Sequence, residues 1–251
     1  MQGQGPAIIL IDGALGFRSF GPMPELAKLL SPHFTVVTYD RRGRGESGDN
    51  KPSDEPFTVK REIEDIEALI HEVEGVPYLY GISSGGCLAL EAAIKLGFKI
   101  KNLAIYEVPY NSDHTTIEEW KEYTRKLKEL LVAGRRGEMV ALFMAFVGTP
   151  AEQIDGMRKA PVWSMFEAVA PTLLYDAAAM GIDRSVPIER ISTITASTLV
   201  MHGGAGLPFR KETALTLSKT IPNAKFLTIE GQTHAVVSEA IAPVIIEFFE
   251  S

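Results

Sequence analysis

Two residues of this sequence, Ser83 and His234, could carry nucleophilic chemistry together. Ser83 lies in the run Gly-Ile-Ser-Ser-Gly at 81–85, directly after an apolar segment. Glycines on both sides of a serine are typical of a strained turn from a strand into a helix, which raises the hydroxyl above a sheet. A serine is a poor nucleophile until a base accepts its proton. His234, in a loop near the end of the chain, is the candidate base, and its imidazole needs an acid to orient it.

Alternating strand and helix signals place this serine on a parallel sheet with helices on both faces. Continuous short apolar runs are typical of strands that are buried on both sides. We predict strands at 7–12, 35–40, 77–82, 100–108, 197–202 and 224–230. We predict helices at 24–30, 58–74, 84–96, 210–220 and 235–249. Ser83 then lies between the third strand and its helix, and His234 follows the last strand.

The alternation stops over residues 111–190, which we predict to form a helical cap inserted into a core of residues 1–110 and 191–251. Helices are predicted at 116–132, 137–147, 151–159 and 162–180. Ligands of open α/β sheets bind at the carboxyl edge of the strands, and Met and aromatic side chains suit an apolar pocket. The candidate substrate-binding residues are Met139, Phe143, Trp163 and Phe166. The alternative is that they pack the cap onto the core.

Together these features resemble the α/β-hydrolase superfamily over nearly the whole chain. Besides Ser83 and His234, the likeness rests on Asp-Arg-Arg-Gly-Arg-Gly-Glu-Ser at 40–47 and on Thr-Leu-Val-Met-His-Gly at 198–203. The resemblance implies an α/β-hydrolase fold, but the antiparallel strands that usually open it are missing before residue 7. We therefore expect about six strands with 35–40 at an edge. An exposed edge invites pairing, so a homodimer or a missing N-terminal segment is expected.

The acid of this superfamily is absent from its usual place. The resemblance implies a carboxylate a few residues after the strand end at 198–203, but the run 203–206 is Gly-Gly-Ala-Gly. Glu107 offers an alternative, because the strand that it follows should lie about 5 Å from the nucleophile strand. Asp183, at the exit of the cap, is the rival acid. The structural alternative for Glu107 is a pairing with a nearby arginine.

Some superfamily members, including the zearalenone-type lactone hydrolases, place a glutamate after the strand that follows the nucleophile helix. The sequence is similar to them at Asp-Gly 12–13, at Ser-Ser-Gly 83–85 and at Glu-Val-Pro 107–109. Two backbone N–H groups must hold the oxyanion of the reaction. By position these are the N–H groups of Ser84 and Ala14, although Asp12 stands where the family more usually has histidine.

Composition excludes several other classes of function. A net charge of −7 argues against nucleic acid as a partner. No apolar run is long enough to span a membrane, and the single cysteine, Cys87, suits a reducing cytoplasm. The Gly-x-Gly-x-x-Gly pattern at 43–48 is followed by a loop instead of a helix, which argues against a dinucleotide. The arginines at 41, 42 and 44 are expected to brace their turn, and the sequence contains no zinc-type cluster.

The sequence therefore predicts a metal-free and cofactor-free serine hydrolase that cleaves a small, apolar carboxylic ester or lactone. Ser83 would attack the carbonyl, His234 would transfer the proton, and Glu107 would orient His234. Cleavage of a carbon–carbon bond, or lyase chemistry, on the same triad is one alternative. A ligand-binding protein with a vestigial site is another, because the usual acid position is Gly206.

Overall fold

A computed structural model of the protein describes residues 1–50 and 56–251 and contains, in these ranges, a six-stranded sheet. The strands are β1 Ala7–Ile11, β2 Thr35–Thr38, β3 Tyr78–Ile82, β4 Asn102–Tyr106, β5 Ser197–Gly203 and β6 Ala224–Ile229. All neighbours are parallel, in the order β2-β1-β3-β4-β5-β6. The prediction of a mostly parallel sheet with the second strand at an edge is confirmed.

Helices cover both faces of this sheet, and further helices form the segment between β4 and β5. Those of the core are α1 Met23–Leu30, α2 Val59–His71, α3 Ser84–Leu96, α9 Ile188–Ile191, α10 Pro208–Thr220 and α11 Ser238–Glu250. Those of the predicted cap are α4 His114–Val132, α5 Arg136–Phe146, α6 Ala151–Met157, α7 Val162–Val169 and α8 Leu173–Met180.

The prediction of a single helix at 162–180 is wrong, because this segment forms two helices, α7 and α8, that are joined by the 3₁₀ turn Ala170–Thr172. Pro171 lies in that turn. A proline has no N–H to donate and its ring clashes with the carbonyl of the preceding turn, so it kinks or breaks an α-helix. After this break, α8 packs against α3.

Strands β1 to β5 bury side chains on both faces of the sheet, whereas the edge strand β6 exposes Lys225 and Leu227 on one face. In β1, Ile9 and Ile11 belong to one hydrophobic cluster, and Ile8 and Leu10 belong to the other. Because successive side chains of a strand point to opposite faces, a fully apolar strand is stable only when helices cover both sides. A third cluster lies within the cap and includes Leu15 from the loop after β1.

Strand register brings the candidate catalytic residues to one edge of the sheet. Ile82 of β3 pairs with Tyr106 of β4, and Ser83 and Glu107 are the next residues along the two chains. Tyr106 pairs in turn with Met201 of β5. Ser83 and Glu107 therefore leave adjacent strands at the same level, at the carboxyl edge where α/β sheets bind their ligands.

The edge strand β2 is covered in part by the N-terminal residues. Gln2 and Val36 form an antiparallel bridge in which each N–H donates to the other carbonyl, at 3.0 and 2.8 Å. Pairing with a second chain stays a prediction. Within the described ranges, every helix is too short or too polar to cross a lipid bilayer.

The close approach of α3 to β1 gives a test of the fold. A Cβ on Gly85 would lie 2.3 Å from the Ile11 carbonyl oxygen and 2.5 Å from that of Asp12. Since neither backbone can retreat, Gly85→Ala is expected to lower the free energy of unfolding by about 3 kcal/mol or more. Gly156→Ala is the matched control, because it is also helical and has no atom within 4 Å of its added Cβ. Urea denaturation should show the control unchanged or more stable, and equal midpoints would contradict the packing described.

Candidate active site

Ser83 lies on a strained turn between β3 and α3. Its φ of 55° and ψ of −130° are a backbone conformation that L-residues rarely adopt. Its N–H donates to the Tyr106 carbonyl at 2.9 Å, and its own carbonyl accepts from Gly86 N at 2.9 Å. Such strain persists only where the surroundings enforce it and is found preferentially at functional sites. The turn predicted from glycine spacing is therefore present.

His234 and Glu107 meet above this edge of the sheet. Nδ1 of His234 lies 3.2 Å from Oε2 of Glu107. Glu107 is 1% exposed, and its Oε1 accepts the Gly203 N–H at 2.9 Å. No hydrogen bond joins the Ser83 hydroxyl to His234 in the described part of the chain, and such contacts often form only when substrate binds.

Arg210, which the sequence reasoning missed, also binds Glu107. Its Nε lies 3.0 Å from Oε2 of Glu107, and its Nη1 donates to the Glu107 carbonyl at 3.0 Å. Glu107 thus contacts both a histidine and an arginine, and its role as the catalytic acid stays a prediction. Nothing in the local sequence of α10 distinguishes Arg210 from a surface arginine, because its role depends on a contact 103 residues away.

These contacts set the protonation states of the site. Burial alone would raise the pKa of Glu107, but the His234 hydrogen bond, the Gly203 N–H and Arg210 together hold that pKa below its usual value. Burial is the largest influence on the pKa of His234 and lowers it, the hydrogen bond to Glu107 raises it, and the repulsion from Arg210 lowers it again, so that the pKa lies below its usual value. The site therefore holds an ionised carboxylate beside a neutral imidazole, which is the form in which histidine accepts a proton.

The loop that carries His234 is held on both sides. The Tyr106 hydroxyl donates to the Thr233 carbonyl at 2.5 Å. The Gln232 carbonyl accepts from Ala205 N at 2.9 Å, and the Gln232 side chain accepts from Val237 N at 3.0 Å. The imidazole is thus fixed by its neighbours in the chain as well as by Glu107.

Gly206, at the usual position of the acid, lies against the carboxylate that replaces it. A Cβ built on Gly206 would be 3.0 Å from Oε1 of Glu107. A side chain at position 206 would therefore enter the space that the Glu107 carboxylate occupies.

The candidate oxyanion donors lie beside Ser83. The loop after β1 approaches closely, since a Cβ on Gly13 would be 3.1 Å from the Ser83 Cβ. Ser84 is the first residue of α3 and its N–H has no partner within the helix. In the part of the chain that the structure describes, the N–H groups of Ala14 and Ser84 donate to no other protein group. They are therefore available to a ligand.

Asp12 is a buried carboxyl group at the base of this loop. Its Oδ1 accepts the Gly13 N–H at 2.7 Å, and its Oδ2 is buried with no partner among the described residues. Burial raises the pKa of Asp12 to about 6, although Arg44, Gly13 and Arg41 act in the opposite direction.

Asp183, the rival acid, and two other residues with reactive side chains, His202 and Cys87, are engaged elsewhere. Oδ1 of Asp183 accepts from the N–H and the hydroxyl of Ser185, at 3.0 and 2.7 Å. His202 lies between the Gly203 carbonyl and the Thr228 hydroxyl. Cys87 is fully buried in α3. Within the described ranges, no group of three or more His, Cys, Asp or Glu side chains could hold a metal ion.

The four candidate substrate-binding residues belong to the hydrophobic cluster of the cap. Met139, Trp163 and Phe166 are buried in it, and Phe143 is partly buried against it. Met139 is 0% exposed, as expected of packing. Phe166 contacts Phe20 edge to face, with ring centroids 5.5 Å apart. Their role in binding substrate stays a prediction.

Comparison with known proteins identifies the family. The sequence profile of the alpha/beta hydrolase family matches residues 12–244. The chain belongs to the alpha/beta hydrolase family. An alpha/beta hydrolase from Sphaerobacter thermophilus DSM 20745 has a similar structure, with a TM-score of 0.86, 45% sequence identity, and coverage of 99% of this chain and 94% of that one.

Curated members of the alpha/beta hydrolase family are more distant. The human protein named serine hydrolase BPHL is 29% identical over 166 residues, which are 61% of this chain and 53% of that protein. The chain thus spans about half the length of that relative. A protein of Pestalotiopsis fici named proline iminopeptidase PfmaB is 22% identical, over 92% of this chain and 86% of its own length.

The electrostatics of the site predict how His234 titrates. Because burial and Arg210 lower the pKa of His234, the midpoint of its ring signals in an NMR titration should fall below 6.5. Arg210→Gln removes a positive charge, so the midpoint should move to higher pH. The control is Arg190→Gln, since Arg190 pairs with Glu91 instead. A midpoint that Arg210→Gln leaves unchanged, or lowers, would contradict this account of the charges.

Proposed function

We propose that this protein is a serine hydrolase that cleaves a small carboxylic ester or lactone with the triad Ser83, His234 and Glu107. The contact of a buried glutamate with His234, beside a serine on a strained strand-to-helix turn, supports this most directly. A carboxylate excluded from water is costly unless it is bound by specific partners. The partners of Glu107 include the imidazole that a catalytic acid has to orient.

In the proposed reaction, the Ser83 oxygen attacks the substrate carbonyl while His234 accepts the hydroxyl proton. The N–H groups of Ala14 and Ser84 bind the oxyanion of the tetrahedral intermediate. His234 then returns the proton to the leaving alcohol, and an acyl-enzyme remains on Ser83. Water, deprotonated by His234, attacks that ester and releases the acid and the free serine. The proposed steps use the three side chains, two backbone N–H groups and water, with no cofactor or metal.

The composition of the cap supports a largely apolar substrate. The partly buried members of the cluster that extends from the loop after β1 into the cap include Ala14, Phe20 and Phe143, and a pocket lined by such side chains would favour a small apolar molecule. The similarity to zearalenone-type lactone hydrolases at 12–13, 83–85 and 107–109 motivates the lactone as one form of the substrate. Cytoplasmic action and the absence of a nucleic-acid partner belong to the same proposal.

A labelling experiment tests the nucleophile. The wild-type protein should hydrolyse p-nitrophenyl acetate or butyrate and react with a fluorophosphonate probe. Ser83→Ala should lose the label and at least about 1,000-fold of kcat, because the residual rate depends on the oxyanion hole alone. Ser164→Ala, on an exposed surface of α7, is the control. Label retained by Ser83→Ala would defeat the assignment, and thermal stabilisation by esters without turnover would favour a binding protein.

A relocation experiment tests the acid. Glu107→Ala should lower kcat strongly, because His234 loses its orienting partner. Adding Gly206→Asp to that variant should restore part of the activity, since the new carboxylate enters the volume that Glu107 has left. Gly206→Asp alone should impair the enzyme, because the Gly206 Cβ is already 3.0 Å from Glu107. Full activity in Glu107→Ala, or loss of activity only in Asp183→Asn, would exclude Glu107 as the acid.

A further inference from the structure

Asp176, a buried carboxylate of the cap, binds three side chains of the core. It lies on α8 and is 2% exposed. Its Oδ1 accepts from Arg41 at 2.7 Å, from Arg44 at 2.9 Å and from the Ser84 hydroxyl at 2.8 Å, and its Oδ2 accepts from Arg44 at 2.9 Å. We call these four side chains the Asp176 cluster.

The Asp176 cluster also binds the loop after β1, which carries Ala14, the second candidate oxyanion donor. Arg44 Nη1 donates to the carbonyls of Gly13 and Gly16, which lie on either side of Ala14. Arg41 Nη1 donates to the Asp12 carbonyl at 3.0 Å. Two of the three arginines expected to brace their turn, Arg41 and Arg44, therefore bind the loop after β1.

The two candidate oxyanion donors are thus linked through one carboxylate. Ser84 is bound to Asp176 directly, and Ala14 lies between two carbonyls that Arg44 holds while Arg44 is bound to Asp176. We infer that Asp176 is a positioning residue that aligns the Ala14 and Ser84 N–H groups when the cap lies on the core. This inference rests on the proposed function and adds a requirement to it: the cap must supply a charge before the oxyanion hole is complete.

Electrostatics favour a fixed arrangement of the cluster. Burial alone would raise the pKa of Asp176, but Arg44, Arg41 and the Ser84 hydroxyl hold it below its usual value. Glu62, also buried, binds Arg41 through both oxygens at 2.8 Å. Every charge of the cluster thus has an opposite charge in contact. A second cap residue, Thr172, accepts from Arg44 Nε at 3.1 Å, so the link between cap and core involves two elements.

The contribution of Asp176 can be separated from general stability by kinetics. We expect kcat for a p-nitrophenyl ester to fall about 10- to 100-fold in Asp176→Asn and in Ser84→Ala. This loss is smaller than the loss expected when an oxyanion donor itself is deleted, since Ser84→Ala keeps its backbone N–H. KM should change less than about threefold, because ground-state binding does not use the hole. The Ki of a trifluoromethyl ketone, which forms a tetrahedral adduct on Ser83, should rise by the same factor as kcat/KM falls.

The matched control is Asp65→Asn. Asp65 binds Arg42, which lies in the same turn as Arg41 and Arg44, with 3.0 Å between Oδ2 of Asp65 and Nε of Arg42. Among the hydrogen bonds of the described ranges, Asp65 contacts neither Asp176 nor the loop after β1. Its removal also costs an ion pair but should leave kcat, KM and Ki unchanged. All variants are assayed well below their melting temperatures. If Asp176→Asn does not fold, Ser84→Ala decides the question.

Hydrogen exchange gives a readout that does not depend on turnover. Peptides that cover residues 12–17 should exchange faster in Asp176→Asn and Ser84→Ala than in the wild type, while Asp65→Asn should not differ. Folded Asp176→Asn and Ser84→Ala with wild-type kcat, Ki and exchange would overturn the inference. A wild-type protein without turnover or labelling of Ser83 would instead overturn the proposed function, and exchange would still report whether Asp176 orders the loop.

Discussion

The candidate active site depends first on one buried negative charge, the carboxylate of Glu107. A carboxylate in this position is stable only while the Gly203 N–H, Arg210 and His234 all remain in contact with it. Those partners come from the end of β5, from α10 and from the loop after β6. Because all three partners bind the same carboxylate, that carboxylate links three segments of the second half of the core to the strand beside the nucleophile.

A second buried charge, on Asp176, has a comparable effect on the other side of Ser83. It joins the cap to the turn after β2 and to the first residue of α3. Buried ion pairs add little to stability on average but impose a specific arrangement where every charge is matched. Ser83 thus lies between two charge clusters. The one around Glu107 affects the protonation of His234, the proposed base, and the one around Asp176 holds the candidate oxyanion donors.

The position of the acid is a consequence of geometry at the sheet edge. Glu107 leaves β4 with a φ of 52°, and its carboxylate fills the space in front of Gly206. A carboxylate that arrives from either strand end can reach the same imidazole, because neighbouring parallel strands are only about 5 Å apart. The proposed triad could therefore keep the usual chemistry although its acid follows a different strand.

The sequence by itself determined the parallel sheet, the turn at Ser83 and the loop of His234, because apolar periodicity and glycine spacing are local signals. It also placed Glu107 directly after the strand that lies beside the nucleophile strand. Only the tertiary structure showed that Glu107 contacts His234, 127 residues away, and that Asp176 contacts Ser84, 92 residues away. Arg210 and Asp176 were missed for the same reason: a charged residue on a helix has no local feature that says whether it is exposed or buried, and burial is decided by how the chain packs.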